Sequence, residues 1–301
     1  MIEQVLETAD GHKLQVYVWP NEHAKAWVHI NHGMAEHALR YDDFATRLVA
    51  EGYAVVAHNH RGHGNSETTQ LGCFPEQGGW RKVLSDLEVV RDSICSTALP
   101  FYLFGHSMGS FIVQSYMSTT TRKIDGLILS GSNLQPNLLN LAGKFIAKVE
   151  KIRVGKTKSS TLLQFLSFGS FNQAFKPNRT TYDWLTRDNE KVDKYLADPL
   201  CGFPCSTGLW YEFIRELVIL FKPESLRRIQ KDLPLLILGG SQDPVGMMGK
   251  GLPKLASLYK SIGQYNVTLK IYPDARHEIL NEINNEEVYI DIINWLNKDP
   301  K

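Results

Sequence analysis

Runs of apolar, strand-type residues alternate with stretches of helical periodicity along the first 130 residues of the chain. Apolar positions flank Asp10-Gly11 and alternate with polar ones after it, so residues 2–19 predict a hairpin. An apolar stripe from Trp80 to Ile94 predicts an amphipathic helix, and a second helix is expected over 41–51. Further strands are predicted at 26–31, 53–57, 101–104 and 126–130.

This alternation of strands and helices predicts an α/β fold with a mostly parallel sheet covered by helices, and the hairpin as an antiparallel edge. The pattern stops near residue 133 and resumes with a strand at 234–238, a helix at 252–262, a strand at 267–272 and a helix at 288–296. We therefore predict one core domain, residues 1–132 and 228–301, interrupted by a helical insertion, residues 133–227, at the edge where the strands end.

Composition narrows the class of protein. The 301 residues are 43% hydrophobic and 22% charged, as in soluble globular chains, and the net charge of +1 gives no field for binding nucleic acid. No signal peptide and no run of apolar residues long enough to span a membrane is visible. Cys73, Cys95, Cys201 and Cys205 lack metal or redox spacing, so we expect free thiols in a cytoplasmic protein.

Ser107 lies between the predicted strand 101–104 and a helical pattern that begins after Gly109. The glycines at positions 105 and 109 suit a sharp, strained turn between strand and helix, since side chains there would collide with their neighbours. The helix that follows would direct its N–H groups at negative charge formed beside the serine. Ser107 is therefore the candidate nucleophile of a serine hydrolase. An ordinary helix N-cap is the competing interpretation.

Asp243 and His277 each follow a predicted strand, as Ser107 does. Loops at the carboxyl ends of parallel strands meet at one edge of the sheet, and the order Ser, Asp, His is that of the α/β-hydrolases. His277 would take the proton of the serine hydroxyl, and Asp243 would orient His277 and stabilise its charged form. Asp274 and Glu278 are rival acids, but they would have to fold back onto the histidine ring.

Five segments together resemble the monoacylglycerol lipase and lysophospholipase family over nearly the whole chain. They are HGMAEHALRY at 32–41, HRGHGNS at 60–66, GHSMG at 105–109, GSQDPV at 240–245 and YPDARHE at 272–278. The resemblance implies an α/β-hydrolase with a helical cap, so we call residues 133–227 the cap segment. The oxyanion hole would use the N–H of Met108, just after the nucleophile, and, by resemblance, the N–H of Met34.

In that family the cap forms an acyl tunnel, and the resemblance places Glu36 and Arg40 near the alcohol end of the substrate. Family members often carry a second histidine three residues after the catalytic one, whereas this chain has Leu280 there. A lysophospholipid or a simple ester therefore stays open beside a monoacylglycerol. The apolar residues expected to line the tunnel or pack the cap are Leu138, Leu139, Leu141, Phe145, Ile146, Leu162, Leu163, Phe165, Leu166, Phe168 and Phe171.

Residues 138–152 have apolar positions at helical spacing, with lysines on the other side. The stretch 144–158 holds six basic residues against one acid, a balance of 6 − 1 = +5. This pattern is typical of an interfacial helix, so we expect peripheral contact with an anionic membrane at the inner face. A cap helix with a solvated lysine face is the alternative.

Two further patterns predict no cofactor. His58, His60 and His63 match the family's Arg-Gly-His-Gly loop, which indicates a hydrogen-bonded structural loop rather than a metal site. Residues 246–251 resemble a phosphate-binding loop loosely, but Gly251 stands where Ser or Thr should follow Lys250. We expect neither a metal nor a nucleotide.

The predicted function is a serine carboxylic-ester hydrolase that acts on monoacylglycerols or lysophospholipids through an acyl-enzyme on Ser107. A generic carboxylesterase or thioesterase on the same scaffold is an alternative. An aminopeptidase is another, and it would need acidic cap residues for a free amine. An inactive ligand-binding homologue is the non-enzymatic alternative. The acidic candidates for the aminopeptidase are Asp183, Asp188, Glu190 and Glu212.

Overall fold

The computed structural model of the chain describes residues 1–65, 69–75 and 77–298. Ser66 of the 60–66 motif and residues 299–301 of the predicted core lie outside these ranges. Eight strands form one sheet in the order β1-β2-β4-β3-β5-β6-β7-β8. The strands are β1 (Ile2–Glu7), β2 (Lys13–Trp19), β3 (Ala26–Asn31), β4 (Tyr53–His58), β5 (Phe101–His106), β6 (Gly126–Ser130), β7 (Leu235–Gly240) and β8 (Val267–Tyr272).

The strand directions confirm the predicted mostly parallel sheet with an antiparallel hairpin at its edge. β2 runs antiparallel to both β1 and β4, and the remaining neighbours are parallel. The central strands β4, β5, β6 and β7 are buried along their whole length. Their continuous apolar runs follow from this burial on both faces of the sheet.

Helices cover both faces of the sheet. One apolar cluster joins α2, α3 and α10 to one face, and a second joins α1 and α11 to the other. The helices are α1 (Asp42–Ala50), α2 (Gly79–Ile94), α3 (Met108–Met117), α4 (Asn137–Val154), α5 (Thr161–Gln164), α6 (Ser170–Asn172), α7 (Asn189–Ala197), α8 (Thr207–Leu220), α9 (Pro223–Leu226), α10 (Gly251–Ser261) and α11 (Asn285–Leu296).

Three strands extend beyond their predicted ends. β4, β5 and β7 continue through His58, His106 and Gly240, which are not apolar. Backbone pairing with the neighbouring strand extends the sheet to these residues, since His106 pairs with Ser130 and Gly240 with Tyr272. Apolar periodicity underestimates such strand ends because polar residues and glycines there are buried by the loops of the site.

Residues 133–227 contain helices α4 to α9 and only an isolated bridge between Ser159 and Ser206, which agrees with the predicted absence of strands. In the described part of the chain, no helix combines the length and the apolar composition needed to cross a bilayer. The division into core and cap segment stays a prediction, to which we return under the proposed function.

Five fully buried histidines lie at and after the ends of β3 and β4. His29 Nε2 is 2.9 Å from His58 Nδ1, the His60 N–H donates to His32 Nε2 at 3.0 Å, and the His63 N–H donates to the His60 carbonyl at 2.9 Å. These bonds link the loops after the two strands, although neither ring nitrogen of His60 has a hydrogen-bond partner among the described residues, and the structural loop stays a prediction. Burial lowers the pKa of every ring, to about 3 for His58 and to about 4 for His63.

We predict that these histidines make the fold labile in acid. The unfolded chain takes up protons below a pH of about 6.5, whereas the folded chain keeps His58 and His63 neutral, so stability is lost as the pH falls through this window. When the pH is lowered from 7 to 5, protonation of each of these two histidines in the unfolded chain should lower the free energy of unfolding by about 2 kcal/mol. Urea unfolding at the two pH values measures this. Equal unfolding free energies at both would contradict it.

Candidate active site

Ser107 occupies a strained turn between β5 and α3. Its backbone has φ +50° and ψ −120°, and its N–H donates to the carbonyl of Ser130 at 2.9 Å. A Cβ on Gly105 would lie 2.5 Å from the Gly109 carbonyl oxygen, and one on Gly109 would lie 2.1 Å from the Asn31 carbonyl oxygen. Only glycine allows this close packing. Ser107 stands at the N-cap position of α3, yet its hydroxyl makes no capping hydrogen bond.

His277 and Asp243 meet beside this turn. His277 Nδ1 lies 3.0 Å from Asp243 Oδ1, and both side chains are buried. Asp243 Oδ1 also accepts the Val245 N–H at 2.9 Å, which fixes the carboxylate. Ser107 and His277 line the same small cavity. A Cβ on Gly131 would lie 2.9 Å from His277 Cε1, so the glycine leaves room for the imidazole ring.

The charges around His277 favour its protonated form. Burial acts to lower the pKa of His277, but the charge and hydrogen bond of Asp243, with the charges of Glu278 and Glu36, outweigh it, and the net shift is upward. A buried imidazole that accepts a proton is thereby stabilised by a neighbouring carboxylate. His277 and Asp243 are thus the candidate general base and the acid that orients it.

The two rival acids lie elsewhere. Asp274 is exposed, and its N–H donates to the Ser241 hydroxyl at 2.8 Å. The carboxylate of Glu278 accepts two hydrogen bonds from Arg40, at 2.7 Å and 2.6 Å. Of the three acids weighed from the sequence, Asp243 is the one that hydrogen-bonds His277.

The N–H groups of Met34 and Met108 remain candidates for the oxyanion hole, and both residues line the apolar cavity beside Ser107. No backbone carbonyl in the described part of the chain accepts a hydrogen bond from either of them. His32 Nε2 accepts the His60 N–H, so the ring proton is on Nδ1, which donates to the Gly33 carbonyl at 2.8 Å. Because the peptide is trans, this bond turns the Met34 N–H away from His32.

Glu36 and Arg40, expected at the alcohol end of the substrate, belong to a buried charged cluster. Glu36 Oε1 accepts the Gly33 N–H at 2.5 Å and the Tyr41 hydroxyl at 2.9 Å, while Arg40 bonds Glu36 Oε2 at 2.5 Å. Glu36 thus braces the loop that carries Met34, a task that its sequence position did not reveal. Glu36 and Glu278 also line the small cavity beside Ser107. Contact with a head group stays a prediction.

Sequence analysis missed three residues of the cap segment that reach the site. The Tyr195 hydroxyl and the Gly202 N–H each donate to the Ala35 carbonyl at 2.9 Å, where Ala35 has φ +57°. The indole of Trp184 lies 5.0 Å from the His277 ring. No periodicity in the insertion indicates which of its aromatic residues face the serine, so the sequence held no signal for them.

An apolar cavity of about 250 Å³ extends from Ser107 between α4, α5 and α8. Of the apolar residues expected there, Leu139, Ile146, Leu163, Leu166, Phe168 and Phe171 line it. Trp210, Phe213, Ile214 and Leu217 of α8 complete its wall. The others from the expected set are exposed to solvent instead: Leu138, Leu141, Phe145, Leu162 and Phe165.

One group of residues has the spacing of metal ligands. Among the described residues, His37, Asp198 and Cys201 bring three ligand atoms within 4.8 Å of one another. His37 Nε2 already bonds Asp198 Oδ2 at 2.8 Å, and burial raises the pKa of the Cys201 thiol, which works against the thiolate that a metal needs. We assign no metal to this group.

The acidic residues weighed for an aminopeptidase do not line the cavities that contain Ser107. Asp183 and Asp188 accept hydrogen bonds from backbone N–H groups of their own turns, and Glu212 accepts the Trp80 N–H at 2.8 Å. Glu190 is exposed. Nothing in their placement provides a site for a free amine.

A parallel sheet whose strand ends deliver, in chain order, a serine on a strained turn, a buried aspartate and a histidine bonded to it characterises the serine hydrolases with the α/β-hydrolase fold. The chain belongs to the family described as serine aminopeptidase, S33, whose model matches residues 22–284. The fold and the resemblance predicted from the sequence are thereby confirmed, and the protein is a serine ester hydrolase.

Named relatives agree with this assignment. The chain is similar to a monoglyceride lipase of Homo sapiens, with 31% identity over 97% of this chain and 89% of the relative. A monoacylglycerol lipase of Mycolicibacterium smegmatis is 30% identical over 95% of this chain and 93% of that one. A solved carboxyl esterase from Bacillus coagulans, in complex with glycerol, superposes with a TM-score of 0.91 at 25% identity, covering 100% of this chain and 99% of the other.

We predict that Asp243→Asn lowers kcat by about three to four orders of magnitude, because an amide favours the wrong histidine tautomer. Asp274→Asn is the matched control, since Asp274 is exposed, and it should keep near-normal kcat. Steady-state hydrolysis of a p-nitrophenyl ester measures both. Loss of activity in Asp274→Asn with normal activity in Asp243→Asn would show that the acid is misassigned.

Proposed function

We propose that the protein hydrolyses monoacylglycerols through an acyl-enzyme on Ser107. The observation that carries this proposal is the apolar cavity of about 250 Å³ that ends at Ser107, beside the buried pair of His277 and Asp243. An acyl chain fits such a cavity, and the ester carbonyl would then lie at the serine. The similarity to lipases named for monoacylglycerols supports the choice of substrate.

In the first half of the proposed reaction, Ser107 Oγ forms a bond to the ester carbonyl carbon while its proton passes to His277 Nε2. The carbonyl oxygen becomes an oxyanion, which the N–H groups of Met34 and Met108 would stabilise, each by about 3 kcal/mol. Asp243 hydrogen-bonds Nδ1 of His277, so Nε2 is the nitrogen left to take the serine proton. The positive end of α3 adds to the stabilisation of the oxyanion.

In the second half, the tetrahedral intermediate collapses and the bond to the leaving alcohol breaks. His277 returns its proton to the alcohol oxygen, and the acyl group stays on Ser107. A water molecule then gives its proton to His277 and attacks the acyl carbon. Collapse of this second intermediate breaks the bond between the acyl carbon and Ser107 Oγ, His277 returns its proton to that oxygen, and the fatty acid is released.

The charges at the alcohol end favour a neutral polar head group over a phosphate. Glu36 and Glu278 bring two carboxylates, and Arg40, which bonds both of them, brings one guanidinium. Both terminal nitrogens of Arg40 are engaged by the carboxylates, and the cluster as a whole is negative. A phosphodiester would meet repulsion there, whereas glycerol hydroxyls would find acceptors. A monoacylglycerol is thus preferred to a lysophospholipid.

Purified protein should hydrolyse monoacylglycerols of graded chain length with a kcat/KM at least about tenfold above that for lysophosphatidylglycerol of the same chain, whose head group is anionic, a difference of about 1.4 kcal/mol. Ser107→Ala gives the background rate, and a proline arylamide tests the aminopeptidase alternative. A higher kcat/KM for the lysophospholipid would contradict the argument from charge. Hydrolysis of the arylamide without hydrolysis of the acyl esters would contradict the proposed function and favour the aminopeptidase.

We further propose that the cap segment, residues 133–227, brings the enzyme into peripheral contact with an anionic membrane, at the inner face in the cytoplasm. α4 buries Asn140, Ala147 and Glu150 and leaves several large apolar side chains outside, with Phe145 68% and Ile152 75% exposed. If α4 were instead a cap helix with only its lysine face in solvent, these apolar side chains would be turned inward. Basic residues flank this surface, as interfacial helices require: Lys144, Lys148, Lys151, Arg153, Lys156 and Lys158.

We predict that the protein sediments with anionic vesicles and not with neutral ones at low salt. The double substitution Phe145→Ser and Ile152→Ser should weaken binding at least about tenfold, because two large apolar side chains no longer enter the interface. Ile283→Ser is the matched control, since Ile283 is 63% exposed but lies outside the cap segment. Equal binding to anionic and neutral vesicles would contradict this proposal. So would an Ile283→Ser variant that loses as much vesicle binding as the double variant.

A further inference from the structure

The indole of Trp184 covers the imidazole of His277. Their ring centroids lie 5.0 Å apart with the planes tilted by 34°, so the two rings are closer to a stacked than to an edge-on arrangement. Both residues are buried. Phe168 stacks on the indole at 5.8 Å and 16°, and Phe171 contacts it at 5.2 Å. The indole is therefore held in place by its own aromatic neighbours.

The backbone around Trp184 is tied to the loop that carries His277. The His277 N–H donates to the Trp184 carbonyl at 3.4 Å, and the Glu278 N–H donates to the Leu185 carbonyl at 2.7 Å. The cap segment thus meets the end of the sheet at this histidine. The indole keeps its position beside the imidazole as long as these two backbone hydrogen bonds are made.

The groups that face His277 come from four other parts of the fold. Asp243 bonds Nδ1 in the plane of the ring, and the carboxylates of Glu278 and Glu36 add negative charge. His106 contacts the ring at 4.7 Å and is itself neutral at ordinary pH, because burial lowers its pKa to about 3. Trp184 is the group that presents an uncharged π system of high electron density.

We propose that Trp184 is a positioning residue that stabilises the imidazolium form of His277 through a cation–π contact. The proposal rests on the proposed function, in which His277 takes the proton of Ser107. Tryptophan has the most negative ring face of the aromatic residues, and the attraction acts within about 6 Å of the ring centroid, most strongly where water is excluded. Asp243 acts on the edge of the imidazole and Trp184 on its face, so the two contributions are separate.

The direct test is the pKa of His277, measured by NMR titration of its imidazole in wild type, Trp184→Phe and Trp184→Leu. The pKa should decrease in the order Trp, Phe, Leu, with leucine about half a unit to one unit below tryptophan. kcat should fall about three- to tenfold in the same order, with KM for a short ester unchanged. The same pKa in all three proteins would overturn the proposal.

A fluorotryptophan series separates the π interaction from packing. Mono-, di- and trifluorinated tryptophan keep the shape of the ring while they weaken its negative face, and the chain has six tryptophans to be replaced together. The pKa of His277 should fall stepwise with fluorination in wild type and stay constant in the matched Trp184→Phe background. A constant pKa in wild type, or the same fall in both backgrounds, would overturn the proposal.

The outcome is independent of the proposed function, because an imidazole can be titrated whether or not the protein turns over an ester. Failure of monoacylglycerol hydrolysis would remove the function and leave the pKa series readable. A constant pKa with normal hydrolysis would remove only the role of Trp184.

Discussion

The contact between Asp243 and His277, 3.0 Å long and closed to solvent, is the interaction on which the rest of the site depends. A buried imidazolium is costly unless a carboxylate faces it, so the two loops must be held in register. The end of β7 does this: a Cβ on Gly240 would lie 1.9 Å from the Ala275 carbonyl oxygen, and the Gln242 N–H donates to that carbonyl at 2.9 Å. Glycine at this strand end lets the aspartate loop and the histidine loop touch.

Residues of the cap segment contact the loops of the candidate site as well as lining the cavity beside it. Tyr195 and Gly202 donate to the carbonyl of Ala35, next to Met34, the candidate oxyanion donor, and the Trp184 ring contacts the His277 ring. The apolar cavity beside Ser107 is walled mainly by residues of the same segment. Under the proposed function, substrate binding and the orientation of the reacting groups would both depend on one set of contacts between cap segment and sheet. A cap that moved would change both together.

The sequence was sufficient for the parts of the structure that local pattern controls. Strands with continuous apolar runs, the strained turn at Ser107 and the pairing of His277 with Asp243 rather than Asp274 follow from spacing and from the order of loops along a parallel sheet. Spacing does not say which face of an amphipathic helix is buried, and α4 packs Ala147 inward while it exposes Phe145. The spacing of residues also could not show that the Glu36 carboxylate accepts the Gly33 N–H of its own loop, because that bond depends on the conformation of the loop. Such features are set by tertiary packing.

Reaction of the folded protein with a fluorophosphonate, followed by intact mass and peptide mapping, tests the central claim most directly. An activated serine beside a buried base reacts with such a reagent, whereas an ordinary serine does not. We expect one adduct, on Ser107, which forms in the native protein and is absent from Ser107→Ala and from heat-denatured protein. Native protein that gains no adduct on Ser107, or that hydrolyses esters after complete labelling of that residue, would contradict the account.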